Sequence, residues 1–168
     1  MEQEDAESCD QTLPPGVKDP NRVGANVLVL ATEVSAQLTA ARAVADGGRL
    51  VVAFQPHLYS RTQEFAEGFG RALALADEVV VMDVYGARED PVPGVTGAMV
   101  ADAVPLPAGR VHFEPSWSAA APALAARARP GDLVLTMGAG DVSMVVPEVL
   151  DALRSAGAGR DEPASGDR

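Results

Sequence analysis

A chain of 168 residues has room for one domain of ordinary size plus tails, and with 47% apolar but only 4% aromatic residues its core must be built mostly from Val, Leu and Ala. Against 13 basic side chains stand 24 acidic ones, and the resulting charge of −11 repels phosphate backbones and anionic lipid, so neither nucleic acid nor membrane is an expected partner. The lone cysteine, Cys9, excludes an internal disulfide, no apolar run approaches the ~18 residues of a membrane span, and Glu2, Glu4 and Asp5 stand where a signal peptide would be basic, so a cytoplasmic protein is expected.

Residues 1–24 mix acids with Pro14, Pro15, Gly16, Pro20 and Gly24 and show no apolar period, which predicts a disordered tail. A folded part is expected over 25–154, and a second disordered tail over 155–168, where Gly, Ala, Asp and Pro163 repeat that composition. Asn26 to Leu30 (NVLVL) reads as a buried strand. Val34, Leu38, Ala41 and Ala45 keep helical spacing up to a Gly47-Gly48 stop. Leu50 to Phe54 is apolar without alternation, as in a parallel strand covered on both faces. After QPHLYSRT, Phe65, Phe69, Ala72, Leu73 and Ala76 share one helical face, and Ser60 with Gln63 predicts a capping box at its start.

Val79 to Met82 is a further buried strand, ending at Asp83, and a Pro/Gly-rich loop follows from Gly86 to Thr96. Val111-His112-Phe113 reads as a short strand. Ser118 is the predicted cap of a helix holding Leu124 and Ala128, with Pro122 in its first turn, where a missing amide costs little. Leu133 to Thr136 is the last strand, and Pro147 the predicted first residue of a closing helix with Val149, Leu150 and Leu153. Strand and helix alternating about five times argue a single Rossmann-like α/β domain: an open, mostly parallel sheet with helices on both faces. Ligands in such sheets sit beyond the carboxyl ends of the strands, which selects the loops Gln55–Arg61, Asp83–Thr96 and Met137–Asp141.

The first loop places His57, Tyr59 and Arg61 at a helix N-terminus, where free amides favour an anion and a guanidinium can grip a carboxylate or phosphate. The alternative is that His57 caps local backbone and Arg61 is a solvated first-turn residue. Asp83, at a strand's carboxyl end, is placed either to orient a ligand or to cap the next turn. Glu89 and Asp90 read as a solvated acidic loop, His112 as a sheet residue and Trp117 as a packing residue. The Gly138-Ala139-Gly140-Asp141 turn resembles a dinucleotide fingerprint without its third glycine. Two histidines and one cysteine show no metal-ligand spacing. Lys18 is the only lysine and no G-x-x-x-x-G-K-[ST] segment surrounds it, so the sequence carries no P-loop. From the residues alone, the reading stops at a ligand-binding α/β domain.

Three blocks taken together are more specific. AFQPHLYSRT from Ala53, DVYGARE from Asp83 and GDLVLTMGAGD from Gly131, in that order and spacing, resemble the C-terminal domain of the Mur ligases, above all those joining L-alanine to UDP-N-acetylmuramate. The resemblance spans Thr32 to Leu153. It implies the third domain of a peptidoglycan-precursor ligase that uses ATP and Mg²⁺ chiefly on a central P-loop domain, with UDP-N-acetylmuramate and L-alanine as substrates. His57, Tyr59, Arg61 and Asp83 are then the expected substrate-side residues. Arg61 would hold the alanine carboxylate or the transferring phosphoryl group, and Tyr59 would pack or donate a hydrogen bond. The chain departs from the family at Leu58, where many members carry arginine. It departs again before Thr32-Glu33-Val34, where Asn26–Ala31 replaces the usual D-D-Y-x-H-H-P run. With the UDP-sugar and P-loop domains outside the chain, it is expected to be inactive alone, or to meet such domains in trans. Two alternatives are a muropeptide-recycling ligase domain and a non-catalytic binding module that kept the fold.

Overall fold

The computed structural model describes residues 31–138 and 141–158. The predicted strand Asn26–Leu30, the predicted tail 1–24, Ala139 and Gly140 of the last turn, and residues 159–168 of the second predicted tail lie outside them.

Among the described residues four strands form one sheet: β1 (Leu50–Gln55), β2 (Glu78–Met82), β3 (Val111–Glu114) and β4 (Leu133–Gly138). All are parallel, in the order β3-β2-β1-β4. Because β1 lies between two neighbours and under two layers, every residue along it is buried, which is why its sequence shows no alternation. Leu50, Val52 and Phe54 point to one face, with Val79 and Val81 of β2. Val51 and Ala53 point to the other, with Val80 and Met82.

The first face is covered by α1 (Ala31–Val44), through Val34, Leu38 and Ala41, and by α2 (Tyr59–Leu73), through Ala66, Phe69 and Leu73. A short α3 (Gly97–Ala103) completes that layer through Val100. The second face carries α4 (Trp117–Arg127), through Ala120, Ala121 and Leu124, and α5 (Val145–Ala158), through Val145 and Val149. The expected doubly covered α/β sheet is therefore present. From β1 the chain winds one way through β2 to β3 with its helices on one face, then returns across the other face to β4. The winding reverses between β1 and β4, so the loops leaving their carboxyl ends diverge to opposite faces and open a crevice there.

Several local expectations need correction. Helix α3 begins directly after the expected Gly86–Thr96 loop, in a stretch for which no element was expected. It starts where Asp83 Oδ1 accepts the Gly97 amide at 3.0 Å, and a Cβ on Gly97 would lie 2.0 Å from the Met82 carbonyl oxygen. Helix α4 starts at Trp117, after Ser116 rather than Ser118, so Pro122 sits inside the helix and not in its first turn. Pro122 and Ser118 are both exposed, so solvent can take the hydrogen bond that the proline cannot donate. Helix α5 starts at Val145, making Pro147 its third residue rather than its first, still among the amides that lack intrahelical partners. It continues to Ala158, past the boundary expected at residue 154.

The amino-terminal edge of the sheet is closed by ion pairs. Arg49 grips Asp132 with a fork, Nε to Oδ1 at 3.1 Å and Nη2 to Oδ2 at 2.6 Å, and reaches Glu78 at 3.3 Å and the Arg127 carbonyl at 2.9 Å. Alongside it, Asp77 Oδ2 accepts the Leu50 amide at 2.8 Å and a guanidinium hydrogen bond from Arg42 at 2.7 Å. Among the described residues, no helix is long and apolar enough to cross a membrane.

Candidate functional site at the carboxyl edge of the sheet

The loop after β1 does not leave the sheet freely. Leu58 donates its amide to the Tyr85 carbonyl at 2.9 Å, and Tyr85 donates to the Pro56 carbonyl at 2.8 Å. His57 and Tyr85 thereby form a parallel bridge beyond the ends of β1 and β2, and their rings stack with centroids 5.9 Å apart and planes 24° apart. The chain must then turn sharply into α2, and it does so at Leu58, whose φ of 68° and ψ of 134° are costly for a residue with a side chain. The turn is held from below by buried Thr62, whose amide and hydroxyl both donate to the Leu58 carbonyl, at 3.0 and 2.8 Å.

The predicted capping box is absent. Helix α2 begins at Tyr59, so Ser60 is already helical and cannot cap it. The start of the helix is instead capped by Glu89, 29 positions away in sequence: Oε2 accepts the Ser60 amide at 2.9 Å and Oε1 the Ser60 hydroxyl at 2.5 Å. Those hydrogen bonds, from the hydroxyl first and then the amide, hold the Glu89 carboxyl below its usual range. The reading of Glu89 as merely solvated is therefore corrected, and so is the picture of free amides awaiting an external anion. A charged acceptor outcompetes a neutral Gln63 for the first amides of a helix, whose dipole favours negative charge.

Of the four expected residues, the structure gathers three on this loop. His57 is half-buried, and burial first, then the Arg61 charge, hold its imidazole below the ordinary value, with a smaller opposite pull from Glu89. Burial and Arg61 both favour the uncharged imidazole. Arg61, in the first turn of α2, has no hydrogen bond or ion pair among the described residues. Tyr59 packs against the backbone of Gly86, where a Cβ would lie 2.6 Å from Tyr59 Cε2. Asp83 stands apart in role: one carboxylate oxygen is committed to the Val84 and Gly97 amides, so it caps the next turn. His112 lies in β3, 3.6 Å from Glu114, and Trp117 packs on the second core, both as expected.

Two residues lie within the selected loops but are not among the four expected site residues. Gln55, at the last position of β1 beside Gly138 of β4, is 8% exposed, yet its side-chain oxygen has no hydrogen-bond partner among the described residues. A buried polar atom left open at the point where the winding reverses is a feature of binding crevices. The other is Tyr85, exposed enough to present its ring beside His57. A groove of about 280 Å³ lies elsewhere, between β4 and α5, lined by Val134, Val149, Leu150 and Leu153 among others. Among the described residues no group of three or more His, Cys, Asp or Glu side chains could hold a metal ion. With Glu89 seated on it, the Ser60 amide at the α2 N-terminus is not free for a phosphate.

Comparison with known proteins agrees with this architecture. Residues 31–140 match the family model of the Mur ligase, glutamate ligase domain. Among curated proteins, the UDP-N-acetylmuramate–L-alanine ligase of Kineococcus radiotolerans is 73% identical over 122 residues, covering 73% of this chain and 26% of that protein. The protein of that name from Saccharopolyspora erythraea is 69% identical over 119 residues, covering 71% and 24%, and that of Mycobacterium tuberculosis 59% identical over 126 residues, covering 73% and 25%. The chain thus spans about a quarter of the length of the curated relatives it matches. Among solved structures, a domain from a "putative UDP-N-acetylmuramate:L-alanyl-gamma-D-glutamyl-medo-diaminopimelate ligase" of Haemophilus ducreyi superposes with a TM-score of 0.53. At 18% identity, covering 73% of this chain and 83% of that one, it shares the fold.

Proposed function

The chain belongs to the Mur ligase family through its glutamate ligase domain, and on that premise we propose that it serves as the C-terminal domain of an ATP-dependent ligase that adds L-alanine to UDP-N-acetylmuramate. The observation that carries the reading is the loop after β1, in a domain whose relatives bear that ligase's name. There a guanidinium without a partner among the described residues stands beside a neutral imidazole at the carboxyl edge of the sheet. In this reaction the amino group of alanine displaces phosphate from an acyl phosphate, losing a proton as the amide forms. The alanine carboxylate takes no part in that exchange but fixes the nucleophile's direction. Arg61 can grip it with two parallel hydrogen bonds, and His57 can add a further one without a second positive charge. Asp83 holds the neighbouring loop, and Tyr59 packs against it at Gly86. ATP and Mg²⁺, in this reading, are held by domains outside this chain, and no residue described here is assigned to them.

A chimera tests the proposal. Residues 31–154 of this chain, exchanged for the matching segment of a full-length relative, should yield an enzyme that releases phosphate only when L-alanine is added. A folded chimera that ignores L-alanine and instead consumes the tripeptide L-alanyl-γ-D-glutamyl-diaminopimelate would favour the recycling reaction. One inert toward both would favour a binding module.

A further inference from the structure

Glu89 belongs to a loop after β2, yet its carboxylate sits on the first turn of α2, which follows β1. We propose that Glu89 is a positioning residue: seated on the start of α2, it holds the His57–Arg61 loop in its strained turn and, by filling the helix's anion seat, leaves Arg61 as the loop's attachment point for a ligand carboxylate. The second half of this statement rests on the proposed function above, and the first half does not.

The argument is one of constraint. Leu58 occupies a backbone region that residues with side chains avoid, so the surrounding contacts must over-determine it. Three sets do so: the Leu58–Tyr85–Pro56 backbone bridge, the two hydrogen bonds from Thr62, and the pair from Ser60 to Glu89. Only the last pair carries a charge and joins two loops through a side chain. Glu89 is itself held: its amide donates to the Gly86 carbonyl at 2.9 Å, in a turn where Ala87 takes a φ of 52° and Gly86 lies under the Tyr59 ring. The two loops therefore brace each other, and His57 and Arg61 ride on the braced one. A carboxylate already on the α2 amides also repels a second anion there. An incoming carboxylate is left with the guanidinium, the one element of the loop able to bind it through two parallel hydrogen bonds.

The test uses Glu89→Gln, which keeps the shape and removes the charge, and Ser60→Ala, which cuts the hydroxyl arm from the other side. In this 168-residue chain, amide and imidazole NMR signals report the brace directly. Glu89→Gln should shift the Ser60 amide and lower the pH at which His57 protonates, since Arg61, Glu89 and the Tyr85 ring face that imidazole and Glu89 alone favours its charged form. In a full-length relative carrying this domain, KM for L-alanine should rise about tenfold while KM for ATP stays within about twofold, as expected when one carboxylate holder is misplaced. Ser60→Ala should move both readouts the same way by less, and Glu89→Asp should restore part of each. Unchanged Ser60 and His57 signals in Glu89→Gln would overturn the brace. A lower melting temperature with signals and KM unmoved would reduce Glu89 to an ordinary helix cap. Signals that move while KM for alanine does not, together with normal kinetics in Arg61→Ala, would leave the brace standing and remove the proposed role of the loop.

Discussion

The two edges of this sheet are built on opposite principles. At the amino edge the charged groups are paired: Arg49 satisfies Asp132, Glu78 and the Arg127 carbonyl, and Asp77 takes both the Leu50 amide and Arg42, and the buried Arg127 Nε is the exception, without a partner among the described residues. Burial raises the pKa of Asp132, but hydrogen bonds from Arg49 and the Arg129 amide outweigh it and leave the carboxyl below its ordinary value. At the carboxyl edge polar groups are left over. Among the described residues the buried Gln55 oxygen has no partner and Arg61 no counter-ion, and Leu58 is strained. Mismatch of this kind costs stability, and a fold retains it where a ligand completes the set. The comparison teaches where to look: the edge closed by paired charges holds the domain together, and the edge with the strained turn and the unpaired guanidinium is where the proposed binding role is to be tested.

The contrast breaks most visibly at the two arginines. Arg61→Ala in a full-length relative should lower kcat/KM by on the order of a hundredfold, about 3 kcal/mol of transition-state stabilisation, with the melting temperature unmoved. Arg61→Lys should recover little of it, because an ammonium cannot offer two parallel hydrogen bonds from a planar group. Steady-state kinetics beside melting curves decides the point, and near-normal turnover would return Arg61 to a solvated helix start. Arg49→Ala should do the reverse. It leaves Asp132, whose side chain is 5% exposed, without its principal counter-ion, and should cost about 2–3 kcal/mol of stability while leaving KM for alanine unchanged. Urea unfolding of this chain measures it. A loss below about 0.5 kcal/mol would mean that the fork is a surface pair of little weight.

What the sequence disclosed follows the same division. Strands β1 and β2 could be read because a strand buried on both faces leaves an uninterrupted apolar run, and the placing of His57 and Arg61 beyond β1 follows from where parallel sheets bind. What escaped was set by tertiary contact. Helix α3 spans seven residues of GAMVADA, too short for a period to emerge, and forms against α2 at Gly70, where a Cβ would lie 2.3 Å from the Ala103 carbonyl oxygen. The Ser60–Gln63 capping box was a sound local inference defeated by a distant one, since nothing in the spacing of Ser60 and Glu89 announces that they meet. Leu58 illustrates the same limit. Its identity gives no hint of a positive φ, which arises because Tyr85 and Thr62 fix the backbone on either side of it.

The smallest effect separates the two edges by the pH at which each titrates. His57 has its pKa lowered on folding, from an ordinary value of 6.5, by burial and then by Arg61. Between the folded and unfolded values the unfolded chain binds more protons, so stability rises with pH through that window, and the cost of His57 is gone above 6.5. The carboxyls of Asp77 and Asp132 are lowered from 3.8, so what they contribute is present above that value and is lost as pH falls through their folded values. His57→Gln should therefore flatten the stability profile just below pH 6.5 and leave the acid limb alone. The half-buried imidazole is screened by solvent, and the flattening should amount to less than about 0.5 kcal/mol. Arg49→Ala should leave the slope near pH 6 intact and weaken the acid-dependent loss. Melting curves of the three proteins from pH 3 to 8 read both limbs at once. A slope near pH 6 that persists in His57→Gln would assign it to another group and remove the argument that His57 is held neutral beside Arg61.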